Sequence, residues 1–359
     1  MNIRLLIIIL LISTVSFAQE ETTKIDSIND NTNLFIEKYH QQLNINFEVS
    51  NERTNYSVPY EDGVAEVKSN LNLRYAFVFG YRFISVRVGI RPPVSDEEKI
   101  NKGKSKIFRL RVKLLFDRWS HHLLYNRHEG YYLSNSDEFS ISSENDDFHI
   151  QFPGLTTNVF QGTSVYKFNK NYSLRAIENQ TEIQIQSVGT FMPGIDYKYY
   201  NLSGADEVKI SEEETIKRET YSEINGFSFA VNAAYHYTYV FHKYWFANAY
   251  ASPGVGIDLY KSKTYTPENI INDSDNAFFF AFKTGVSGGY NGEKIFAGAG
   301  YNYVYVSEKF QGNNIQVQPS KDKFHIYVGY RFRAPKQLRA PVDYIEKKVP
   351  LLKEDTGEN

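Results

Sequence analysis

Apolar and polar residues alternate strictly along several segments of this chain, and this period of two constrains its fold more than any other feature. In the segment 106–116, the residues on one side are all apolar: Phe108, Leu110, Val112, Leu114 and Phe116. The residues between them include Arg109, Arg111 and Lys113. Neighbouring side chains on a β-strand point to opposite faces, so each such strand has one apolar and one polar face. The alternation recurs in further segments, at 70–80, 82–91, 227–239 and 245–259, which predicts an all-β protein.

The connections between the predicted strands alternate in length. Short turns lie near 80–82, 117–118, 169–171, 242–243 and 291–292, and longer polar loops lie at 92–105, 128–151, 201–224, 261–276 and 308–322. Short turns at one end and long loops at the other are typical of outer-membrane barrels. The chain has 28 Tyr and 26 Phe but a mean hydropathy of −0.46, as expected when only the lipid-facing side of each strand is apolar. We therefore predict a transmembrane antiparallel up-and-down β-barrel of about 12 strands over residues 42–332.

One region does not fit a simple barrel. Residues 172–200 contain two strand-like pieces, 172–177 and 183–199, although the alternation of turns and loops leaves room for a single crossing. We therefore predict one kinked or inward-folded segment, at 178–187.

The first 18 residues have the pattern of a cleavable secretory signal. A basic start at Arg4 precedes an apolar run at 5–12 that is too short to span a bilayer, and small residues, Ser16 and Ala18, occupy the positions that a signal peptidase reads. Cleavage is expected after Ala18, and we expect the mature chain to enter the outer membrane without a transmembrane helix. The chain has no cysteine, which excludes disulfides and thiol chemistry and suits export.

Two terminal segments flank the predicted barrel. Residues 19–41 are expected to form an N-terminal periplasmic segment, and residues 333–359, with Pro335, Pro341 and Pro350, an extended periplasmic tail. An even number of strands places both mature termini in the periplasm. The tail offers a surface for a periplasmic partner.

Several blocks of sequence resemble one family. They are Leu71-Asn72-Leu73-Arg74-Tyr75, Phe108-Arg109-Leu110, Gly130-Tyr131-Tyr132, Asn171-Tyr172-Ser173-Leu174-Arg175-Ala176 and Ser187-Val188-Gly189-Thr190-Phe191. Together they resemble the Bacteroidota outer-membrane family catalogued as domain of unknown function 4421. The resemblance implies a barrel in the outer membrane of a Gram-negative bacterium and implies no reaction.

The last predicted strand carries a further signal. Its apolar face consists of Phe324, Ile326, Val328, Tyr330 and Phe332. This terminal aromatic pattern resembles the signal read by the barrel-assembly machinery, so that machinery and outer-membrane lipid are the expected partners. The near balance of 40 Lys and Arg against 42 Asp and Glu gives no footprint for nucleic acid.

Charged residues occupy the inward face of three consecutive predicted strands. They are Arg74, Arg87, Arg109, Arg111 and Lys113, which we call the basic wall. Acidic residues that could face them lie further round the barrel, at Asp196 and Asp258. Two interpretations remain open: a lumen or ligand site that favours anions, or a lumen closed by ion pairs and hydrogen bonds.

The sequence offers weak signals for catalysis or cofactor binding. Ser120 and His121 point to opposite faces and cannot pair, whereas Ser120 and His122 share a face and could form part of an esterase site. His121, His122 and His128 lack an acidic cluster at metal-ligand spacing, and the acidic stretches 29–31 and 144–147 lack the spacing of a calcium loop. We predict no catalytic residue, no metal ligand and no cofactor.

Three functions follow from these observations. The first is a small-molecule channel or transporter, with residues 178–187 as an internal gate. The second is a closed barrel that acts as a structural anchor or assembly partner through its loops or tail. The third is a lipid-modifying enzyme that uses Ser120 and His122.

Overall fold

The computed structural model describes residues 34–54, 56–60, 63–70, 73–90, 92–139, 147–307 and 321–348. Its strands are β1 (Ile36–Lys38), β2 (Gln42–Thr54), β3 (Tyr56–Tyr60), β4 (Gly63–Lys68), β5 (Leu73–Tyr81), β6 (Ile84–Ile90), β7 (Lys106–Leu115), β8 (Trp119–Leu133), β9 (Gln151–Tyr166), β10 (Glu182–Gln184), β11 (Val188–Ser203), β12 (Glu207–Lys209), β13 (Thr215–Lys217), β14 (Tyr221–Phe241), β15 (Trp245–Tyr265), β16 (Ile270–Asn291), β17 (Ile295–Val306) and β18 (Lys321–Arg333). Its helices are α1 (Asp96–Lys102), α2 (Leu174–Glu178) and α3 (Lys336–Lys348), with a 3₁₀ turn at Ser136–Phe139.

Twelve antiparallel strands form a closed barrel. Their order round the ring is β9-β11-β14-β15-β16-β17-β18-β2-β5-β6-β7-β8, and pairing of β8 with β9 closes it. The predicted fold class is therefore confirmed. The strands β3, β4, β12 and β13 form hairpins beyond the ring.

Side chains alternate between the two faces of the barrel wall, as the sequence pattern requires. On β2, inward Asn44 and Ser50 are buried, whereas outward Phe47 is exposed. On β16, Phe278 is 75% exposed. So much apolar surface is stable only against hydrocarbon, so the outer surface is that of a membrane barrel. Among the described residues, no helix has the length and apolar character needed to cross a bilayer.

The two ends of the barrel differ in their connections. At one end, which we call the turn end, β14 and β15 are joined at His242 and Lys243, whose φ angles of 49° and 62° suit the tight turn of a twisted hairpin. The start of β2 and the end of β18 also lie there. The opposite end, the loop end, carries α1, whose first turn is capped by the Ser95 side chain accepting from Glu98 N.

The irregular region resolves into an inward-folded segment followed by a regular strand. β11 crosses the wall once, from Val188 to Ser203, while residues 172–187 form α2 and β10 inside the turn end. β10 pairs with β1, which belongs to the predicted N-terminal segment. The inward fold therefore begins some residues before the predicted 178. The predicted signal peptide lies outside the described residues.

Residues 336–348 of the C-terminal tail are helical where the sequence predicted an extended chain. α3 continues through Pro341, which lies on its exposed side. Its other side packs Val342 onto the turn end, and Arg82 forms an ion pair with Asp343 at 2.6 Å. These tertiary contacts outweigh the unfavourable effect of a proline within the helix.

A bulge in β8 gives a test of the fold at the loop end. Gly130 has a φ of 88° where the register of β8 against β9 shifts, and a Cβ there would lie 2.1 Å from Lys104 O. We expect Gly130→Ala to lower the free energy of unfolding by about 1–3 kcal/mol in a urea titration of the lipid-embedded protein. Gly89→Ala is the matched control, because its Cβ would meet only Tyr75 O at 3.9 Å. Equal stability of the two variants would contradict this view of the bulge.

Candidate functional site

A segment of chain folds across the turn end of the barrel. We call residues 167–187, which connect β9 to β11, the plug. Its residues Tyr172, Asn179 and Ile183 are at most 1% exposed. The side chain of Ser173 caps α2 by accepting from Ala176 N at 2.9 Å, which fixes the start of this short helix. The plug thus has defined structure and is buried at the barrel mouth.

The plug reaches the wall opposite its own attachment. Arg331 lies on β18, which is six strands from β9 in the ring of twelve. Its Nε and Nη2 donate to Gln180 O at 2.8 and 2.6 Å. Its guanidinium carbon lies 4.9 Å from the ring centres of both Tyr39 and Phe296. The Arg331 guanidinium therefore binds the far side of the plug to β18.

Further hydrogen bonds hold the plug to the sides of the ring. Asn291 Nδ2 on β16 donates to Ala176 O at 3.2 Å and to Glu182 O at 3.1 Å. Asn44 Nδ2 on β2 donates to Asn179 O at 2.6 Å. Because β9, β16, β18 and β2 are spread round the ring, the plug spans the cross-section of the turn end.

Glu178 joins the plug to the basic wall. Its Oε2 lies 3.0 Å from Lys113 Nζ and 2.9 Å from His122 Nε2. Burial raises the pKa of Glu178, but His122 and Lys113 outweigh it and hold the pKa of this carboxyl well below its usual range. Glu178 is therefore ionised and attracts both partners. The sequence did not single out Glu178, because its partners lie more than fifty residues away in the chain.

Ser120, His122 and Glu178 lie together but do not have the geometry of a catalytic triad. Ser120 Oγ is 3.0 Å from His122 Nε2, the same nitrogen that contacts Glu178. A triad needs the base to contact the nucleophile through one nitrogen and the orienting acid through the other. Ser120 is also fully buried. The hydroxyl therefore cannot meet a lipid ester at the outer rim.

This geometry predicts no lipid hydrolysis through Ser120. We expect the purified protein and its Ser120→Ala and His122→Ala variants to release fatty acid from phospholipid vesicles at the same background rate. A rate above background that is lost in both variants would contradict this expectation.

In the structure, the basic wall has carboxylate partners that the sequence did not single out. Glu48 Oε1 lies 2.9 Å from Arg87 Nη2, and Glu52 Oε2 lies 3.3 Å from Arg74 Nη1 and 2.5 Å from Arg109 Nη1. Both carboxylates project from the inward side of β2. The period-two pattern of β2 was the available signal for both residues.

The two acidic residues that the sequence named have other partners. Asp196 lies on β11, where Lys283 Nζ is 2.5 Å from its Oδ1 and Asn232 Nδ2 donates to its Oδ2 at 2.7 Å. Asp258 lies on β15 and accepts from Tyr200 OH at 2.8 Å. The register of β11 and β15 places Asp196 and Asp258 next to these other partners. The ion pairs of the basic wall are made instead by Glu48, Glu52 and Glu178. Within the described ranges, histidine and acidic side chains form no group of three that could hold a metal ion.

Comparison with solved structures finds weak similarity to outer-membrane proteins. Over 84% of this chain and 100% of its own, the outer-membrane protease OmpT from Escherichia coli matches with 9% identity and a TM-score of 0.40. The translocator domain of the autotransporter NalP from Neisseria meningitidis matches over 82% of this chain and 90% of its own, with 9% identity and a TM-score of 0.37. The toluene transporter TodX of P. putida matches over the same shares, with 8% identity and a TM-score of 0.27. No curated protein matches the sequence.

The family comparison agrees with the resemblance drawn from the sequence blocks. The model of the domain of unknown function DUF4421 matches residues 24–332, which include the plug and the ring of strands up to Phe332. The chain therefore belongs to the DUF4421 family.

Proposed function

We propose that this protein is a small-molecule channel or transporter of the outer membrane, and that the plug is its gate. The observation that carries the proposal is the way the plug is held. It is attached to the wall at both its ends, between β9 and β11, and its contacts with the far wall are hydrogen bonds. On the near side, Glu178 pairs with Lys113 and Arg175 pairs with Asp117. The net strength of a neutral hydrogen bond is about 0.5–1.5 kcal/mol and that of one to a charged group about 1.5–3 kcal/mol, because water replaces it when it breaks. The apolar packing that the plug gives up on leaving the mouth includes one small cluster, in which Tyr172 and Leu174 pack with Met192 and Ala234.

The location and orientation belong to the same proposal. The apolar belt of the barrel suits a bilayer, and the predicted signal peptide suits export. Short turns face the periplasm in outer-membrane barrels, which puts the turn end, the plug and both mature termini on that side. The gate is then within reach of periplasmic components.

The Glu178 ion pair gives the first test of gating. We expect Glu178→Gln to raise the ratio of open to closed time about tenfold in single-channel recordings, because one charge-assisted contact of the closed state is weakened. Glu129→Gln is the matched control: Glu129 pairs with Lys106 at 2.6 Å at the loop end, far from the plug. An unchanged ratio in Glu178→Gln, or an equal rise in the control, would count against the gate.

A closed barrel that acts as an anchor or assembly partner is the second candidate, and α3 is the observation that favours it. Its buried side is fixed to the turn end by Val342 and by Arg82, while Tyr344 is 60% exposed. Truncation after Arg333 tests it. The anchor function requires the truncated protein to lose a defined set of co-purifying periplasmic proteins, and the channel function requires its single-channel currents to persist.

A further inference from the structure

On the part of the barrel interior that the structure describes, basic side chains outnumber the carboxylates that pair with them. Six cations from β5, β6, β7 and β18 lie together on the inward side, and we call them the cationic cluster: Arg74, Arg87, Arg109, Arg111, Lys321 and Lys323. Between β5 and β18 in the ring lies β2. Among the described residues, the carboxylates that form ion pairs with this cluster are Glu48 and Glu52. The four arginines alone outnumber these two carboxylates.

Each of these carboxylates is shared. Glu48 Oε1 lies 2.9 Å from Arg87 Nη2 and 2.7 Å from Lys323 Nζ, and Glu52 Oε2 serves both Arg74 and Arg109. The side chains of Glu48 and Glu52 are only 10% and 12% exposed, so bulk water screens the cluster weakly. A buried excess of cations is costly unless an anion accompanies it.

Several donors of the cluster are free to bind such an anion. Arg111 lies directly opposite Arg87 in the pairing of β7 with β6, an arrangement of like charges that is unfavourable alone. Within the described part of the chain, the side chain of Arg111 makes no hydrogen bond or ion pair. The Nε atoms of Arg74 and Arg87 are buried and have no hydrogen-bond partner there, and the Arg87 side chain is 7% exposed.

We propose that the cationic cluster binds a small anion with more than one negative charge, of the phosphate or diphosphate class. Guanidinium groups present paired N–H donors that match the oxygens of a phosphate group, and two neighbouring arginines can hold one such group from two sides. A monovalent anion would leave part of the excess uncompensated. The inference rests on the proposed function in one respect, since it names the substrate class of that channel or transporter.

The test is calorimetric titration of the full-length protein in detergent with sodium pyrophosphate. We expect saturable binding that weakens as ionic strength rises. Arg111→Gln removes a donor without breaking an ion pair. It should weaken pyrophosphate binding at least about tenfold, because one charge-assisted hydrogen bond to the anion is lost. Arg127→Gln is the matched control, because Arg127 lies on the same hairpin but is 53% exposed. Its binding should equal that of the wild type.

A second variant guards against a merely structural effect. Glu52→Gln removes a carboxylate that competes for Arg74 and Arg109, so pyrophosphate should bind more tightly, the opposite direction from Arg111→Gln. Folding of each variant is checked by its heat-dependent shift on a gel. The proposal is overturned if folded wild type shows no saturable binding, or if Arg111→Gln binds as the wild type does.

The titration also separates this inference from the proposed function. Binding without any channel current or pyrophosphate uptake into vesicles supports the anion site and contradicts the channel. Current without pyrophosphate binding supports the channel and contradicts the anion site.

Discussion

Removing the plug is expected to turn a closed barrel into a permanently open pore. In this variant, residues 170–185 are replaced by a short Gly-Ser linker; β9 and β11 are hydrogen-bonded neighbours, so a short connection can join them. The plug fills the turn end from β9 to the opposite wall at β18, and its removal leaves that mouth to water. We expect a continuous current across a planar bilayer where the wild type gives brief events. The remaining pore should favour anions over cations, because the cationic cluster lines it.

Two controls make the result specific. The variant must still show the heat-dependent gel shift of a folded barrel, and a Gly-Ser replacement of the loop-end hairpin β12–β13, residues 207–217, must keep the behaviour of the wild type. A folded plug-deletion variant that carries no current would show that the lumen above the plug is closed as well, and the gate would be rejected.

The second large effect concerns Arg331. Arg331→Gln removes the donors to Gln180 O and the contacts with Asn291 Oδ1 and Gly292 O, all of them buried at the turn end. We expect the free energy of unfolding to fall by about 3 kcal/mol, because charged hydrogen bonds are lost and buried carbonyls are left without a donor. Urea titration of the protein in lipid vesicles, followed by the gel shift, measures it.

Arg333→Gln is the matched control for this prediction. Arg333 lies two residues further along β18 and is exposed, so its replacement should change stability by less than about 0.5 kcal/mol. Equal stability of Arg331→Gln and Arg333→Gln would show that Arg331 does not hold the plug.

The sequence predicted the barrel well because alternation is a local property. The face of the strand on which a residue such as Arg109 or Arg111 lies can be inferred from its immediate neighbours in the sequence. The count of twelve followed from the alternation of turns and loops. The inward fold of the plug also left a local trace, since residues 172–200 contained one strand-like piece too many.

Partners of the inward residues could not be predicted in the same way. Which carboxylate meets Arg109 depends on the register between strands distant in the chain, and the sequence pointed to Asp196 and Asp258 where the structure has Glu52. The Glu178 contacts depend on the path of the plug through the mouth. The helix α3 depends on packing against the turn end, which overrides the prolines that indicated an extended tail.

One block of the family resemblance lies in the plug. Residues 171–176 build the start of the plug, where Ser173 caps α2 and Arg175 Nε donates to Leu115 O at 2.6 Å. The resemblance therefore includes the proposed gate as well as the strands of the barrel.

Single-channel recording of the unmodified protein tests the central claim most directly. If the plug is a gate, the wild type should open briefly, and each opening should have the unit conductance of the plug-deletion variant. Glu178→Gln should be open for a larger fraction of the time. A folded wild type that never opens, beside a plug-deletion variant that conducts, would contradict the gate and show that the plug seals the barrel permanently.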